Sequence, residues 1–589
     1  MRALSHIASR YWWAPPTLLL LGLSAALADG ISVSLVVLFL YTLIGKADDA
    51  LLPGGIVSQV FRAAQSLVGP GVTALGVLIF AVVLLKTVLN MAYGLITTAV
   101  KNGISEDMRL RVHAQYLAVS YDYIQRHEYS DMLNVLAKES WSIPEAYYVV
   151  TRIAINICGI AVLGSFLLAV SWQLTAIAVV GSSLVFFLTQ RFAGPLRRLY
   201  EKAMTLNNEL GHRMLTTLQG MRTIRAFARE DYDRSRFQKA SRAVRKSFVR
   251  MGWFHAFVGP IGDIGHLAVL GFIAAAAVPL GVSASAALAA IALLYRLQPQ
   301  VQELQGNWLS LATMDPSLRV VRGVIDPSDK LYLPEGTEPF TGLQREIRFE
   351  SVSLTYPGTH APALDDISFT IPRGRTVAIV GPSGCGKTTI VNLLLRLYHP
   401  DSGRITIDGK PLFDLRRVEW LARMAVAGQD VELIDGTIDE NIAIGRVGRD
   451  AGRMRDAASA AGILDFIEHT EAGFDTWVGE RGLNISGGQR QRIGLARALF
   501  GEPETLILDE ATSALDGRIE SEVRANVGRY IDGRTLILIT HRLETVLSAD
   551  FVVCIENGRV VEQGVPALLA ERTGSVFRAM LGRENEGVR

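Results

Sequence analysis

Five strand-forming residues, 376–380, run straight into Gly381-Pro-Ser-Gly-Cys-Gly-Lys-Thr388, which has the spacing G-x-x-x-x-G-K-[ST]. Glycines so spaced let backbone N–H groups turn inward on a phosphate, and a helix starting inside the loop adds its positive end. Gly381, Ser383, Gly384, Cys385, Gly386, Lys387, Thr388 and Thr389 therefore form a candidate nucleotide cradle. Lys387 suits β- and γ-phosphate oxygens, and the Thr388 hydroxyl suits Mg²⁺. Farther on, Leu506-Ile-Leu508 reads as a buried parallel strand ending in Asp509 and Glu510. Asp509 is the candidate for the Mg²⁺ shell. Glu510 is the candidate for polarising a water for in-line attack, assistance typically worth about 10²–10⁴ in rate. Singly, the loop pattern can occur by chance and the two acids can simply cap the helix that follows. Together they describe nucleotide hydrolysis.

These residues need a scaffold, and the chain divides in two around them. At 589 residues it exceeds a single core. Hydrophobic residues make up 49%, and the excess lies before about residue 305, whereas from roughly 345 the composition is that of a soluble α/β domain. A net charge of +2 argues against binding nucleic acid through bulk electrostatics, so no nucleic-acid partner is expected. Cys158, Cys385 and Cys554 offer neither a disulfide framework nor metal-ligand spacing. Cys385, inside the phosphate loop, is expected to be passive, with any alkylation shielded by nucleotide.

About 20 apolar residues cross a bilayer. Six candidate spans appear within residues 1–320, near 17–44, 72–100, 149–170, 172–190, 253–278 and 282–304. Ala26-Leu-Ala28 has the look of a leader cleavage site, but the apolar run continues to Ile44, so an uncleaved first span is expected. The loop 191–250 carries fifteen Lys or Arg and 101–148 carries five, which places both loops and both termini in the cytoplasm. Three-to-four spacing of Met108, Val112, Tyr116 and Val119 extends the spans into the cytoplasm as helices, with reversing turns near 121–131 and 220–229. Asp29, Lys86, Asp263, His266 and Arg296 interrupt the apolar runs. A charge at mid-bilayer costs about 2.5–3.5 kcal/mol, so each calls for a partner or a wet cavity. Depth counting pairs Asp29 with Lys86 and Asp263 with Arg296, lining or gating a polar pathway; separate snorkelling to the interface is the alternative. Breakers such as Pro334 and Gly336 mark 321–345 as an exposed tether before a nucleotide domain at 346–589.

With these pieces assembled, the region from about 345 onward resembles an ATP-binding cassette domain, and the whole chain resembles a half-size ATP-binding cassette exporter. The resemblance implies roles in that family's order. Tyr356, in Thr-Tyr-Pro-Gly358, matches the aromatic stacking on adenine. Gln429 matches the glutamine that senses Mg²⁺ and touches the inner loops. Ser486, Gly487, Gly488 and Gln489 match the signature loop that closes on the γ-phosphate held by the opposite subunit. Asp516 matches the interface loop, and His541 the histidine that contacts the γ-phosphate and orients the water. The segments 476–482 and 220–230 resemble exporter-type contacts between nucleotide domain and inner loops. Two departures stand out: Ile485 replaces the leucine opening the signature, and Gly428 stands where many relatives have proline.

The resemblance implies a membrane all-α domain of six helices joined to an α/β P-loop NTPase, with ATP and Mg²⁺ as cofactors. It also implies a second half-transporter as partner, because the signature serine serves the other subunit's nucleotide, and with Glu510 and His541 both intact a homodimer is preferred to a heterodimer. The expected activity is ATP-driven export or flipping of an amphipathic lipid, lipid-linked saccharide, drug or peptide, amid membrane lipids. An exporter-fold importer and an ATP-gated channel are the competing readings. The expected location is a bacterial plasma membrane.

Overall fold

The structure, a computed structural model, describes residues 10–587 apart from 44–71, 192, 278, 283, 429–430, 445–449, 480–481, 483, 512–516, 531–532 and 541–542. It divides into two units: 1–117 with 127–329, and 118–126 with 330–589.

The first unit is helical. Its long elements are α1 (Ala14–Leu43), α2 (Val72–Ala118), α5 (Ser142–Val170), α6 (Trp172–Gln190), α7 (Ala193–Gln219), α9 (Glu230–Ala277) and α10 (Ala284–Ile325), with the short α4 (Tyr129–Ala137) and α8 (Met221–Ala226) between them. Ser171 ends α5 in extended backbone and caps α6, its hydroxyl accepting from Leu174 N at 3.4 Å, which makes the tight turn. Leu163, Leu167, Leu174, Ile273 and Leu293 form the main apolar cluster. Among the described residues, five helices are long and apolar enough to cross a membrane. The expected sixth span, 282–304, falls largely in α10, which is not among those five and carries Arg296, Gln298 and Gln300 in its apolar half.

The second unit holds two sheets. One is antiparallel, ordered β2 (Leu364–Pro372), β1 (Glu346–Leu354), β4 (Ser402–Ile407), β5 (Lys410–Pro411). The other is ordered β10 (Arg559–Gly564), β9 (Phe551–Glu556), β3 (Thr376–Val380), β8 (Thr535–Ile539), β7 (Thr505–Asp509), β6 (Met424–Ala427), parallel except for β10. Parallel strands buried on both faces read as unbroken apolar runs, as Val377–Val380 and Leu506–Leu508 do.

The expected tether is instead part of this unit from Lys330 onward. Thr337 and Glu338 N–H groups both donate to the Asp414 carbonyl at 2.8 Å, and Arg416 N–H returns a bond to Glu338 at 2.7 Å. Phe340 and Leu343 are buried in the core, Phe340 edge-on to Trp420 at 5.2 Å. Gly336, at φ +71°, lies so close to the 414–415 backbone that a Cβ would stand 1.9 Å from the Leu415 carbonyl oxygen. The fully buried Arg396 guanidinium clasps the segment, donating to the carbonyls of Leu415 (2.6 Å) and Pro334. Residues 321–325 finish α10.

Candidate functional site

Chain order brings the two halves of the hydrolytic chemistry to one sheet edge. The phosphate loop leaves the C-terminal end of β3, and Asp509 and Glu510 leave the C-terminal end of β7, with only β8 between. Ligands of open α/β sheets bind at that edge.

The loop is shaped by glycine at two positions. Gly386, at φ +110°, starts α11 (Lys387–Leu394), and a Cβ there would meet the Ala363 oxygen at 2.6 Å. At Gly381 a Cβ would stand 2.1 Å from the Ile555 oxygen. The backbone therefore approaches its neighbours as a phosphate cradle must. Lys387 Nζ curls back over the loop, donating to the Gly381 and Pro382 carbonyls at 2.8 and 3.0 Å. Ser383, Gly384 and Thr388 are exposed on it. Cys385 faces the core, 3% exposed, and burial pushes its thiol pKa up.

Glu510 sits at φ +51°, a left-handed conformation that costs a non-glycine residue about 1–2 kcal/mol, held by its N–H bond to the Ile539 carbonyl at 2.9 Å. It borders a cavity of about 390 Å³ that Leu508, Leu538 and Val523 also line; none of residues 381–389 is among its walls, so this cavity is distinct from the phosphate cradle. Ser486 is the N-cap of α12 (Gly487–Phe500). Its hydroxyl accepts from Gln489 N–H at 3.3 Å while Gln489 Oε1 accepts from Ser486 N–H at 2.9 Å, and Ser486 and Gly487 are exposed at the helix's positive end. Gln489 thus has a capping job that its place in the signature concealed.

Tyr356 stands beside the cradle. Its hydroxyl donates to Thr389 Oγ1 at 3.2 Å and accepts from Asn392 Nδ2 at 3.1 Å. No motif marks its neighbour Tyr398. That ring meets Tyr356 edge-on at 5.0 Å and Tyr121 edge-on at 6.2 Å, and its hydroxyl donates to Gln125 Oε1 at 2.5 Å. Burial pushes the Tyr398 pKa up to about 12, so it stays a donor. Tyr121 and Gln125 belong to α3 (Tyr121–Arg126), the first expected reversing turn, which groups with the nucleotide domain. Gln429, Asp516 and His541 lie outside the described residues.

In the membrane half, the polar residues regroup. Asp29 accepts from Lys86 as expected, but also from Arg296, whose Nε and Nη2 reach its two oxygens at 2.8 Å each. The expected Asp263–Arg296 pair does not form; Asp263 accepts from Gln302 Nε2 at 2.6 Å. Depth counting fixes height along a helix but not azimuth, and azimuth chose α1 as the partner of Arg296. His266 is buried, its Nε2 without a hydrogen-bond partner among the described residues.

A phosphate loop and an acid pair on one sheet edge, joined in one chain to membrane-length helices, define a membrane-embedded P-loop ATPase. Residues 364–513 match the ABC transporter family, and residues 18–285 match the ABC transporter transmembrane region. The heterocyst differentiation ATP-binding protein HepA of Nostoc sp. is 31% identical over 94% of this chain and 91% of its own length. An ATP-dependent lipid A-core flippase of Burkholderia orbicola is 33% identical over 79% of each chain. The structure of a bacterial Atm1-family ABC exporter with ATP bound superposes with a TM-score of 0.82 at 25% identity, covering 98% of this chain and 99% of that one. The chain belongs to the ABC transporter family. It is a half-size, multi-pass membrane chain whose cytoplasmic nucleotide domain is an ATPase coupled to transport.

Proposed function

We propose that two copies of this chain form a homodimeric flippase or exporter for an amphipathic lipid, with six crossings per copy and two ATP molecules at the shared seam. The lipid class is suggested by the lipid A-core flippases among its relatives. Lys387 and the loop N–H groups hold the phosphates, and Tyr356 walls the adenine. Ser486, Gly487 and Gly488 close on the nucleotide of the other copy, with α12 directing its positive end at the γ-phosphate. Glu510 takes the proton of the attacking water. Gln429, Asp516 and His541 keep the roles implied by their motifs.

Mg²⁺ commonly takes one or two protein oxygens and completes its shell with water and phosphate. The Thr388 hydroxyl and the Asp509 carboxylate suit that set, and no group of three or more His, Cys, Asp or Glu gathers among the described residues. Bound there, Mg²⁺ supplies positive charge to the phosphate oxygens during transfer.

The observation carrying this reading is the placement of the cradle and Glu510 one strand apart on one edge. Glu510→Gln should bind a fluorescent ATP analogue as the wild type does and hydrolyse ATP about 10²–10⁴-fold more slowly. Hydrolysis at the wild-type rate refutes Glu510 as the base.

A further inference from the structure

Where α2, α5, α7 and α10 leave the bilayer towards the cytoplasm, they enclose a cavity of about 680 Å³ with Lys101, Lys138, Glu139, Trp141, Glu145 and Tyr200 among its lining. Its charges sort unevenly. Lys101 pairs with Glu145 and lies over the Tyr148 ring at 5.4 Å, so those two satisfy each other. Lys138 and Glu139 remain, one of each sign, and neither has an ion-pair partner among the described residues. Both line the cavity, Lys138 exposed to solvent and Glu139 only 6% exposed.

A buried carboxylate without a cation is costly, and a ligand bearing one relieves the cost. Burial first, and then the Glu139 charge, raise the pKa of Tyr200, which keeps its hydroxyl protonated beside that carboxylate. Aromatic walls favour an ammonium group further. The unpaired set is therefore zwitterionic, with a buried carboxylate for an ammonium and an exposed ammonium for a phosphate.

The membrane side of the cavity is apolar. On α2, Met91 and Leu95 are 66% and 63% exposed, one to two turns membrane-ward of Thr98 on the cavity wall and on the same side of the helix. These surfaces suit acyl chains. We infer that the cavity is a binding site for a phospholipid whose headgroup joins a phosphate to a primary amine, the amine on Glu139 and the phosphate on Lys138. The inference deepens the proposed lipid transport and rests on it for its physiological meaning, but the binding can be measured apart from ATP hydrolysis.

The test is calorimetric titration of the detergent-purified full chain with dihexanoyl phosphatidylethanolamine, phosphatidylcholine, phosphatidylglycerol and free phosphoethanolamine. The amine lipid should bind at least tenfold more tightly than the other two lipids and than the free headgroup. Glu139→Gln should erase the preference over phosphatidylglycerol. Lys138→Met, at an exposed position where folding is not at risk, should weaken the amine lipid and phosphatidylglycerol by similar factors. Glu510→Gln should bind the lipids as wild type does, so loss of hydrolysis and loss of this site are read separately. Equal affinity for the three lipids, or an unchanged preference in Glu139→Gln, overturns the site. Free phosphoethanolamine binding as tightly as the lipid overturns its assignment to a membrane ligand.

Discussion

Asp29 carries two cations on one carboxylate, and its removal tests whether that node holds α1, α2 and α10 together. Its side chain is 8% exposed, that of Lys86 21% and that of Arg296 45%. Asp29→Asn keeps the shape and one acceptor oxygen but removes the charge. Breaking a buried pair by losing one partner costs about 3–5 kcal/mol, because the stranded charge stays desolvated. Arg296, nearly half exposed, rehydrates and so adds little, whereas Lys86 is left with most of the penalty. A loss of roughly 3 kcal/mol is therefore expected. The measurement is reversible unfolding of the purified chain by SDS titration in mixed micelles. The triple Asp29→Leu, Lys86→Met, Arg296→Met should recover most of the loss, since no ion is then left at this node. A drop under about 1 kcal/mol in Asp29→Asn, or a triple as unstable as the single, refutes the node as the tie.

Three more outcomes follow. Tyr398→Phe keeps the edge contact with Tyr356 but loses the bond to Gln125. Because the contact beside the nucleotide is kept, it should leave the KM for ATP within about twofold, while the lost bond to Gln125, worth about 1 kcal/mol, blunts lipid stimulation of the ATPase; Tyr398→Ala should raise KM as well. Gly381→Ala, whose new Cβ would stand 2.1 Å from the Ile555 oxygen, should abolish ATP binding in a filter assay. Gly384→Ala has open space and only its φ of +78° to contend with, so it should lose about 1–2 kcal/mol of binding energy at most. Glu562 is raised by burial, but the Phe577 N–H (2.9 Å) and Ser575 hydroxyl (2.7 Å) outweigh this and hold its pKa below the ordinary 4.5. Its contribution is thus present above that ordinary value and lost as pH falls through the depressed one. Glu562→Gln should lower the melting temperature at neutral pH and flatten the acid limb of the melting profile.

The catalytic half of this site was legible because its chemistry is local. A phosphate loop must place glycines and a lysine at fixed offsets in one short turn, and Gly381, Gly386 and Lys387 carry that constraint in the sequence itself. Asp509 and Glu510 were legible for the same reason, as the terminus of an apolar strand. What could not be read depends on contacts between distant segments. Pro334 and Gly336 break helical periodicity whether the backbone beside them faces water or pairs with residues 414–415. Only the pairing distinguishes a tether from an integral edge. Arg396, which no motif marks, is fully buried, and its partners are carbonyls with no side-chain signature. Tyr398 has no motif either. Its meaning arises from lying between a ring next to the phosphate loop and a turn some 270 residues earlier in the chain. Local chemistry therefore leaves a trace in spacing, whereas the parts that would transmit its effect are defined by shape alone. Substitutions that disconnect hydrolysis from transport, with hydrolysis itself spared, should accordingly concentrate at residues such as Tyr398 that no motif marks.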